Sequence, residues 1–176
     1  MTPSISKNSC KEGAVHIWHL DECVVAINGK KQWLWRAVDQ HGFVLDVLVR
    51  SRRNAKAAKR LMRKLLKAQG QAPRVMITDK LRSYDAARRD LMPGVEHRSH
   101  KGLNNRAENS HQPTRRREKI MKRFKSARQL QRFVSIHDPI ANLFHFPRNT
   151  LSSADHRDLR AAAMQIWAEI AHVTAA

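Results

Sequence analysis

The chain has 176 residues, with 34 lysines and arginines against 15 aspartates and glutamates, and its formal net charge is +19. Hydrophobic residues make up 41% of it, which is enough for the core of one domain and excludes a fully disordered protein. No run of about 18 apolar residues occurs, so a membrane-spanning helix is excluded. Two cysteines exclude a disulfide scaffold and a four-cysteine zinc site.

The positive charge is concentrated in two segments. Residues 50–67 contain nine basic residues and no acid, and residues 98–132 contain twelve basic residues and two acids. Each lysine or arginine that contacts a phosphate releases condensed counterions, so this density favours a nucleic acid partner. The simpler alternative is that both segments are solvated faces of helices.

The first quarter of the chain predicts an irregular leader and an antiparallel meander. Residues 1–16 are polar and lack the apolar stretch of a secretory signal, so we expect a cytoplasmic protein. Residues 18–27 are rich in β-branched side chains and end at the turn signal Asn28-Gly29. Second and third strands are predicted over 31–39 and 43–51.

Beyond residue 53 the period of the apolar residues changes from two to 3.6. Asn54 is placed to cap a helix that Gly70 ends. The short apolar run 74–78 predicts a buried strand parallel to the first one, since a helix connects them. The remaining predicted elements of this region are a helix over 81–92, a strand over 95–100 and a helical turn within 101–119.

Residues 126–176 are predicted to form a C-terminal helical extension. Ser126 opens an amphipathic helix that Pro139 is expected to interrupt, and a capping box at 152–155 starts a last helix that ends near 173. The order β-β-β-α-β-α-β-α predicts an α/β ribonuclease-H-like fold with a five-stranded mixed sheet flanked by helices. Its core domain is predicted over 17–125.

Three acidic residues are placed to converge in that fold. Asp21 lies within the first strand, and Asp79 follows the fourth at its carboxyl end, where ligands bind in open α/β sheets. These strands are neighbours in the predicted topology, and the helix that carries Glu108 would cross them. Two Mg²⁺ ions about 3.5–4 Å apart, held by such carboxylates, activate the attacking oxygen and neutralise the leaving one in phosphodiester chemistry.

Taken singly, each acid also has a plainer explanation. Asp21 can be a charge at a sheet edge, with Glu22 as its outward-facing neighbour. Asp79 can cap the helix that follows it, and Glu108 can belong to a surface ion pair. Ten histidines show none of the spacings that are typical of zinc sites.

Other residues are assigned structural roles. Asp46 in the third strand could face the same cavity as the three acids, but pairing across the strands with a residue such as Arg36 is the simpler interpretation. Trp33 and Trp35 are expected in the core rather than as platforms for bases, and Cys23 is expected to be buried.

Five separated blocks occur in an order that resembles a known family. They are WHLDE with Asp21, INGKKQWLWRAVDQHG, VRSRRNAKAAKR, VMITDKLRSY with Asp79, and GVEHRSHKGLNNRAENSHQPTRRREK with Glu108. They resemble the bacterial insertion-sequence transposases of the DDE type, which have a retroviral-integrase-like catalytic core, in the cointegrate-forming group. The resemblance covers roughly residues 17–150. It implies that Asp21, Asp79 and Glu108 form a catalytic triad that binds two Mg²⁺ ions, which Mn²⁺ can replace.

The resemblance also implies a reaction and its partners. Activated water would nick a transposon end in double-stranded DNA, and the freed 3′ hydroxyl would attack a target phosphodiester. A homodimer is expected because two ends must be paired, in the bacterial cytoplasm and associated with the nucleoid. The residues expected to contact DNA are Lys56, Lys59, Arg63, Lys80, Arg82, Asn104, Asn105, Arg115, Arg116 and Arg117.

One feature departs from this family. Its members normally carry an N-terminal helix-turn-helix region, whereas only residues 1–17 precede the first block here. We therefore expect a catalytic core that lacks this region. Two alternatives stay open: a catalytically inactive truncated transposase that acts only as a DNA-binding remnant, and a structure-selective nuclease on the same fold.

Overall fold

The structure, a computed structural model, describes residues 16–146 and 151–173. Nearly all of the predicted leader therefore lies outside the described residues. Five strands form one sheet in the order β3-β2-β1-β4-β5. Their bounds are β1 (Ile17–Ile27), β2 (Lys30–Val38), β3 (Val44–Arg50), β4 (Val75–Thr78) and β5 (Glu96–Ser99).

The first three strands pair antiparallel, and β4 pairs parallel to both β1 and β5. The helices are α1 (Ala55–Gln69), α2 (Arg82–Leu91), α3 (Asn105–Ser110), α4 (Gln112–Ile120), α5 (Ala127–Leu143) and α6 (Ser153–Val173). This order of elements and this pairing are those of the predicted ribonuclease-H-like fold. No described helix is long and apolar enough to cross a membrane.

Local signals in the sequence set the ends of several elements as predicted. Asn28 and Gly29 have φ angles of 50° and 73°, which form the tight turn between β1 and β2. The Asn54 side chain accepts a hydrogen bond of 3.1 Å from the N–H of Ala57 and caps α1. Gly70, with φ of 74°, ends the same helix in the left-handed region.

Two hydrophobic cores lie on opposite faces of the sheet. On one face α1 and α2 pack through Leu61, Met62 and Tyr84 against Trp18 and Trp35. The other face has a second core, whose buried members are Val25, Ile27, Leu34, Val47, Phe124, Leu130 and Val134. The prediction that tryptophan fills the core is confirmed for Trp35, which is fully buried.

Helix α5 continues through Pro139, so the prediction that this proline interrupts it was wrong. Proline removes only one N–H donor, and the helix is held on both sides of it by tertiary contacts. Val134 and Asp138 are buried before the proline. After it, the Asn142 side chain accepts from the N–H of Val44 at 2.9 Å and donates to its carbonyl at 2.7 Å.

Helix α5 packs on β3 of the sheet. The predicted domain boundary at residue 125 would place this helix outside the core domain. Helix α6 begins with the predicted capping box, in which Asp155 N–H donates to Ser152 Oγ and Ser152 N–H donates to Asp155 Oδ2, both at 3.2 Å. Ala163 of α6 is buried, whereas Met164 is 53% exposed.

A buried ion pair joins the second face of the sheet to its helices. Arg36 on β2 is 1% exposed and donates to Asp138 Oδ2 of α5 at 2.8 Å. It also donates to Thr114 Oγ1 of α4 at 2.7 Å and to the carbonyl of Ser110 at the end of α3. One guanidinium thus holds three helices on the sheet, and we call these four residues the Arg36 hub.

The predicted pairing of Arg36 with Asp46 was wrong. Asp46 lies opposite Ala37 in the register of β2 and β3, so its side chain and that of Arg36 point to opposite faces. Asp46 instead accepts a hydrogen bond of 2.7 Å from Lys64 of α1.

We expect Asp138→Ala to lower the free energy of unfolding by about 3–5 kcal/mol, because it leaves the Arg36 guanidinium buried without its counter-charge. The double variant Arg36→Met, Asp138→Leu should recover most of that loss, since both charges are removed together. Urea denaturation measures both changes. Asp90→Ala, which breaks the exposed Lys59–Asp90 pair, is the matched control and should shift the midpoint far less. Equal losses in Asp138→Ala and Asp90→Ala would contradict this account of the hub.

Candidate active site

The parallel pairing of β1 with β4 brings two of the predicted acids together. Leu20 is in register with Thr78, so Asp21 and Asp79 occupy the next positions on neighbouring strands. Asp21, Glu22 and Asp79 each offer a carboxylate oxygen, and these three oxygens lie within 4.8 Å of one another. We call these three residues the carboxylate group.

Glu22 is the member that sequence reasoning missed, since it was considered only as the outward-facing neighbour in the alternative explanation of Asp21. Alternation along β1 gives it the same face as Trp18 and Leu20, which both belong to the core. Its side chain is fully buried, and it accepts a hydrogen bond of 2.6 Å from the hydroxyl of Tyr84 on α2. The two-residue alternation of inward-facing side chains from Trp18 was the sequence signal that could have indicated the inward position of Glu22.

Asp21 and Glu22 lie on opposite faces of β1, yet their carboxylates share one space because β4 is short. Its pairing with β1 ends at Leu20 and Thr78. Beyond that point β4 no longer separates the two faces on this side of β1. Side chains from both faces therefore reach the same opening at the carboxyl end of β4, the edge at which open α/β sheets bind ligands.

Burial raises the pKa of the Glu22 carboxyl to about 7 from its ordinary 4.5. The hydrogen bond from Tyr84 opposes this shift, the negative charge of Asp79 adds to it, and the contact with Arg53 also opposes it. Glu22 is therefore a carboxyl group that changes its charge near neutral pH in the metal-free protein.

Arg53, in the loop between β3 and α1, bridges two members of the carboxylate group. Its Nε and Nη2 nitrogens lie 2.7 and 2.5 Å from Glu22 Oε1, and Nη2 lies 3.3 Å from Asp79 Oδ2. The guanidinium also sits 5.0 Å from the centre of the Trp33 ring. Trp33 is thus half-buried beneath a cation rather than fully inside the core.

Asp79 presents its two carboxylate oxygens to different partners. One oxygen, Oδ1, accepts from the N–H of Leu81 at 3.0 Å, which fixes the chain as it enters α2. The other, Oδ2, faces Arg53. Asp79 therefore fixes the turn before α2 but does not cap this helix, because the N-cap position is Leu81 and no described side chain makes a capping hydrogen bond there. It still presents one oxygen to the carboxylate group.

His111 is a second residue that sequence reasoning missed. Its Nε2 lies 3.3 Å from Asp21 Oδ2, and its side chain is 5% exposed. Burial lowers the pKa of this imidazole, while the contact with Asp21 opposes that shift. It follows Glu108 by three residues, a spacing that places both on one side of a helical turn and was visible in the sequence.

Glu108 stays outside the 4.8 Å carboxylate group in the described part of the chain. It is half-buried in the last turn of α3, a helix that packs against β1 and β2. The structure thus brings Asp21 and Asp79 together and leaves Glu108 on an adjoining helix.

Most residues expected to contact DNA lie on the surface. Those that are exposed are Lys56, Arg63, Lys80, Arg82, Asn105, Arg115, Arg116 and Arg117. Lys59 is half-buried and pairs with Asp90 at 2.9 Å. Asn104 does not fit a DNA contact, because it is fully buried and its Nδ2 donates to the carbonyl of Leu20 at 2.9 Å. It ties the turn before α3 to β1 beside the carboxylate group.

A basic concavity of about 450 Å³ adjoins the end of α4. Its lining residues are Arg115, Glu118, Lys119, Lys122 and Arg123. Four of the five are cationic, so the surface around α4 suits a polyanion.

Comparison with known proteins identifies the family. A family model described as a DDE domain, of the IS240 transposase type, matches residues 15–146. The chain belongs to the insertion-sequence DDE transposases. The family named from the five sequence blocks is therefore confirmed.

The transposase of the insertion sequence-like element IS431mec from Staphylococcus aureus is 32% identical over 103 residues, which are 56% of this chain and 46% of that protein. The IS257 transposase in transposon Tn4003 of the same species matches with the same values. The uncharacterized protein pYV0051 of Yersinia pseudotuberculosis is 36% identical over 77 residues, 43% of this chain and 72% of that one. The chain spans about half the length of the transposases it matches.

Solved structures show the same fold at low sequence identity. The HTLV-2 integrase catalytic core domain in complex with magnesium has a TM-score of 0.53 and 16% identity, covering 80% of this chain and 91% of that one. A chain of the simian T-cell lymphotropic virus intasome in complex with the PP2A regulatory subunit B56 gamma has a TM-score of 0.52 and 15% identity. The match covers 80% of this chain and 51% of that one. The predicted ribonuclease-H-like fold is confirmed.

We expect Glu22→Gln to change how stability depends on pH. The pKa of Glu22 is raised in the folded state, so its favourable contribution is complete below about pH 4.5 and is lost as the pH rises through about 7. The melting temperature of Glu22→Gln minus that of the unmodified protein should therefore increase as the pH rises from 4.5 to 8. Thermal denaturation in a chelator measures it.

Glu96→Gln is the control for this experiment, because Glu96 is an exposed carboxylate on β5 whose pKa is lowered by its bond to Arg98. The difference between Glu96→Gln and the unmodified protein should stay constant over the same range. A constant difference for Glu22→Gln as well would contradict the raised pKa.

Proposed function

We propose that the protein is the catalytic core of a DNA transposase, which uses divalent metal ions to cut a DNA strand and transfer it to a target. The observation that carries this proposal is the convergence of Asp21 and Asp79 at the carboxyl end of β4, in a chain of the DDE family. The exposed basic residues that follow Asp79 and line α4 support a nucleic acid as the substrate.

The chemistry of the donors fits Mg²⁺, which prefers carboxylate oxygens, and Mn²⁺ accepts the same ligands. Asp21 and Asp79 would hold the ions, and Glu108 is included as the third ligand on the resemblance of its segment to the family. The related HTLV-2 integrase core was solved with magnesium. When bound, two such ions activate the attacking oxygen and neutralise the leaving one.

The protein's own cationic residues would position the DNA. Lys80 and Arg82 are exposed directly after Asp79, so they are placed to contact phosphates next to the carboxylate group. Arg115, Arg116 and Arg117 are exposed on α4 and continue the basic surface. Strand transfer joins two transposon ends to a target, so we include a homodimer in the proposal.

A second candidate is a DNA-binding remnant of a transposase without catalytic activity. The position of Glu108 outside the carboxylate group favours it, since a metal site with two ions needs ligands that converge. The two candidates share the DNA surface and differ in metal-dependent cleavage.

We expect Asp79→Asn to abolish metal-dependent nicking of duplex DNA, lowering its rate by at least about 10³-fold, because the site loses a charged ligand. Glu108→Gln should have an effect of the same order. Gel analysis of plasmid nicking with Mg²⁺ or Mn²⁺ measures both. Asp90→Asn on the outer side of α2 is the control and should keep its activity. Nicking that survives Asp79→Asn would exclude the proposed site, and an unmodified chain that never nicks DNA would support the remnant.

Binding to DNA should weaken steeply with salt. About 6–10 phosphate contacts predict a loss of roughly 10³–10⁵ in affinity between 50 and 200 mM salt. The triple variant Arg115→Gln, Arg116→Gln, Arg117→Gln should reduce the slope of log affinity against log salt by about 3, because three counterions fewer are released. Fluorescence anisotropy on a labelled duplex measures the slope. Arg157→Gln with Arg160→Gln, exposed on α6, is the control and should leave it unchanged. A flat response of the unmodified protein would exclude DNA as the partner.

A further inference from the structure

Arg53 is a cation inside a group of acids. Three carboxylate oxygens within 4.8 Å of one another repel strongly unless a positive charge is near. The Arg53 guanidinium supplies that charge to two of them, Glu22 and Asp79. Arg53 thus occupies a position at which a divalent cation would interact with the same carboxylates.

The two contacts of Arg53 are unequal. Two of its nitrogens lie 2.5 and 2.7 Å from Glu22 Oε1, whereas one nitrogen reaches Asp79 Oδ2 at 3.3 Å. Glu22 is fully buried and is also held by Tyr84, so it is a fixed anchor. The contact with Asp79 is the longer one and is made to a half-buried side chain at the opening.

Arg53 can also leave Asp79 without a large change in the fold. Its side chain is 37% exposed and belongs to the loop between β3 and α1. The ring of Trp33, 5.0 Å away, and the bond to Glu22 hold the guanidinium independently of Asp79. Release of Asp79 Oδ2 therefore breaks one long contact and leaves the contacts of Arg53 with Glu22 and Trp33 in place.

We propose that Arg53 is an internal counter-cation of the carboxylate group, which holds Asp79 in the metal-free protein and must release it when a divalent ion binds. Glu22 is then the positioning residue that retains Arg53 at the site. This inference rests on the proposed function, because it takes Asp21 and Asp79 of the carboxylate group to be metal ligands. Coupling of this kind is reciprocal, so the free energy of the contact between Arg53 and Asp79 stabilises the metal-free protein and weakens metal binding by the same amount.

The test compares Arg53→Gln with Arg52→Gln, a matched control that removes the same charge from the exposed neighbour. Calorimetric titration of the full chain with Mn²⁺ should show about 10-fold tighter binding for Arg53→Gln, because the ion no longer competes with a cation for Asp79. In a chelator, Arg53→Gln should melt at a lower temperature than the unmodified protein, because the acids lose their counter-charge. Arg52→Gln should change neither value.

Arg53→Lys makes the test independent of how well Arg53→Gln folds. A lysine keeps the charge but lacks the planar fork that spans Glu22 and Asp79, so it should bind Mn²⁺ more tightly than the unmodified protein, by less than Arg53→Gln does. Unchanged or weaker Mn²⁺ binding by both variants, with the unmodified protein binding the ion, would overturn the role of Arg53 alone. Absence of binding in every variant, with Asp79→Asn as the reference for a disabled site, would overturn the metal site and this inference together.

Discussion

The parallel pairing between β1 and the short strand β4 is the constraint on which the site depends. It sets Asp21 beside Asp79, and because it stops at Leu20 and Thr78, it opens the space that their carboxylates share with Glu22. The helix between β3 and β4 allows this pairing, since neighbouring parallel strands need a crossover. The carboxylate group and its partners Arg53 and Tyr84 lie around the point where that ladder ends.

Much of the fold followed from patterns that act locally. The turn at Asn28-Gly29, the cap at Asn54 and the change of period after it are set by a few neighbouring residues, so their positions were predictable. The adjacency of Asp21 and Asp79 was also predictable, because the order of the elements predicts that β1 and β4 are neighbouring strands. Family membership also followed from the sequence, since five blocks agreed in order.

Features that depend on contacts between distant segments were not predictable. The alternation from Trp18 indicated the inward face of Glu22, but its partners, Arg53 and Tyr84, lie 31 and 62 residues away and were not predictable. In the sequence Asn104 has the features of a polar loop residue, and only the structure shows its hydrogen bond to the carbonyl of Leu20. Pro139 normally breaks a helix, and here packing and the amide of Asn142 outweigh that local preference.

The Arg36 hub also determines how small a folding unit this chain can form. Arg36 and Asp138 are 102 residues apart. The segment between them contains Asp79, Glu108, the helices α1 to α4 and most of α5. A fragment that stopped before α5 would bury a guanidinium with no acid to match it and would uncover the second core. A fragment that keeps these contacts therefore has to include α5, well past the last of the predicted catalytic acids.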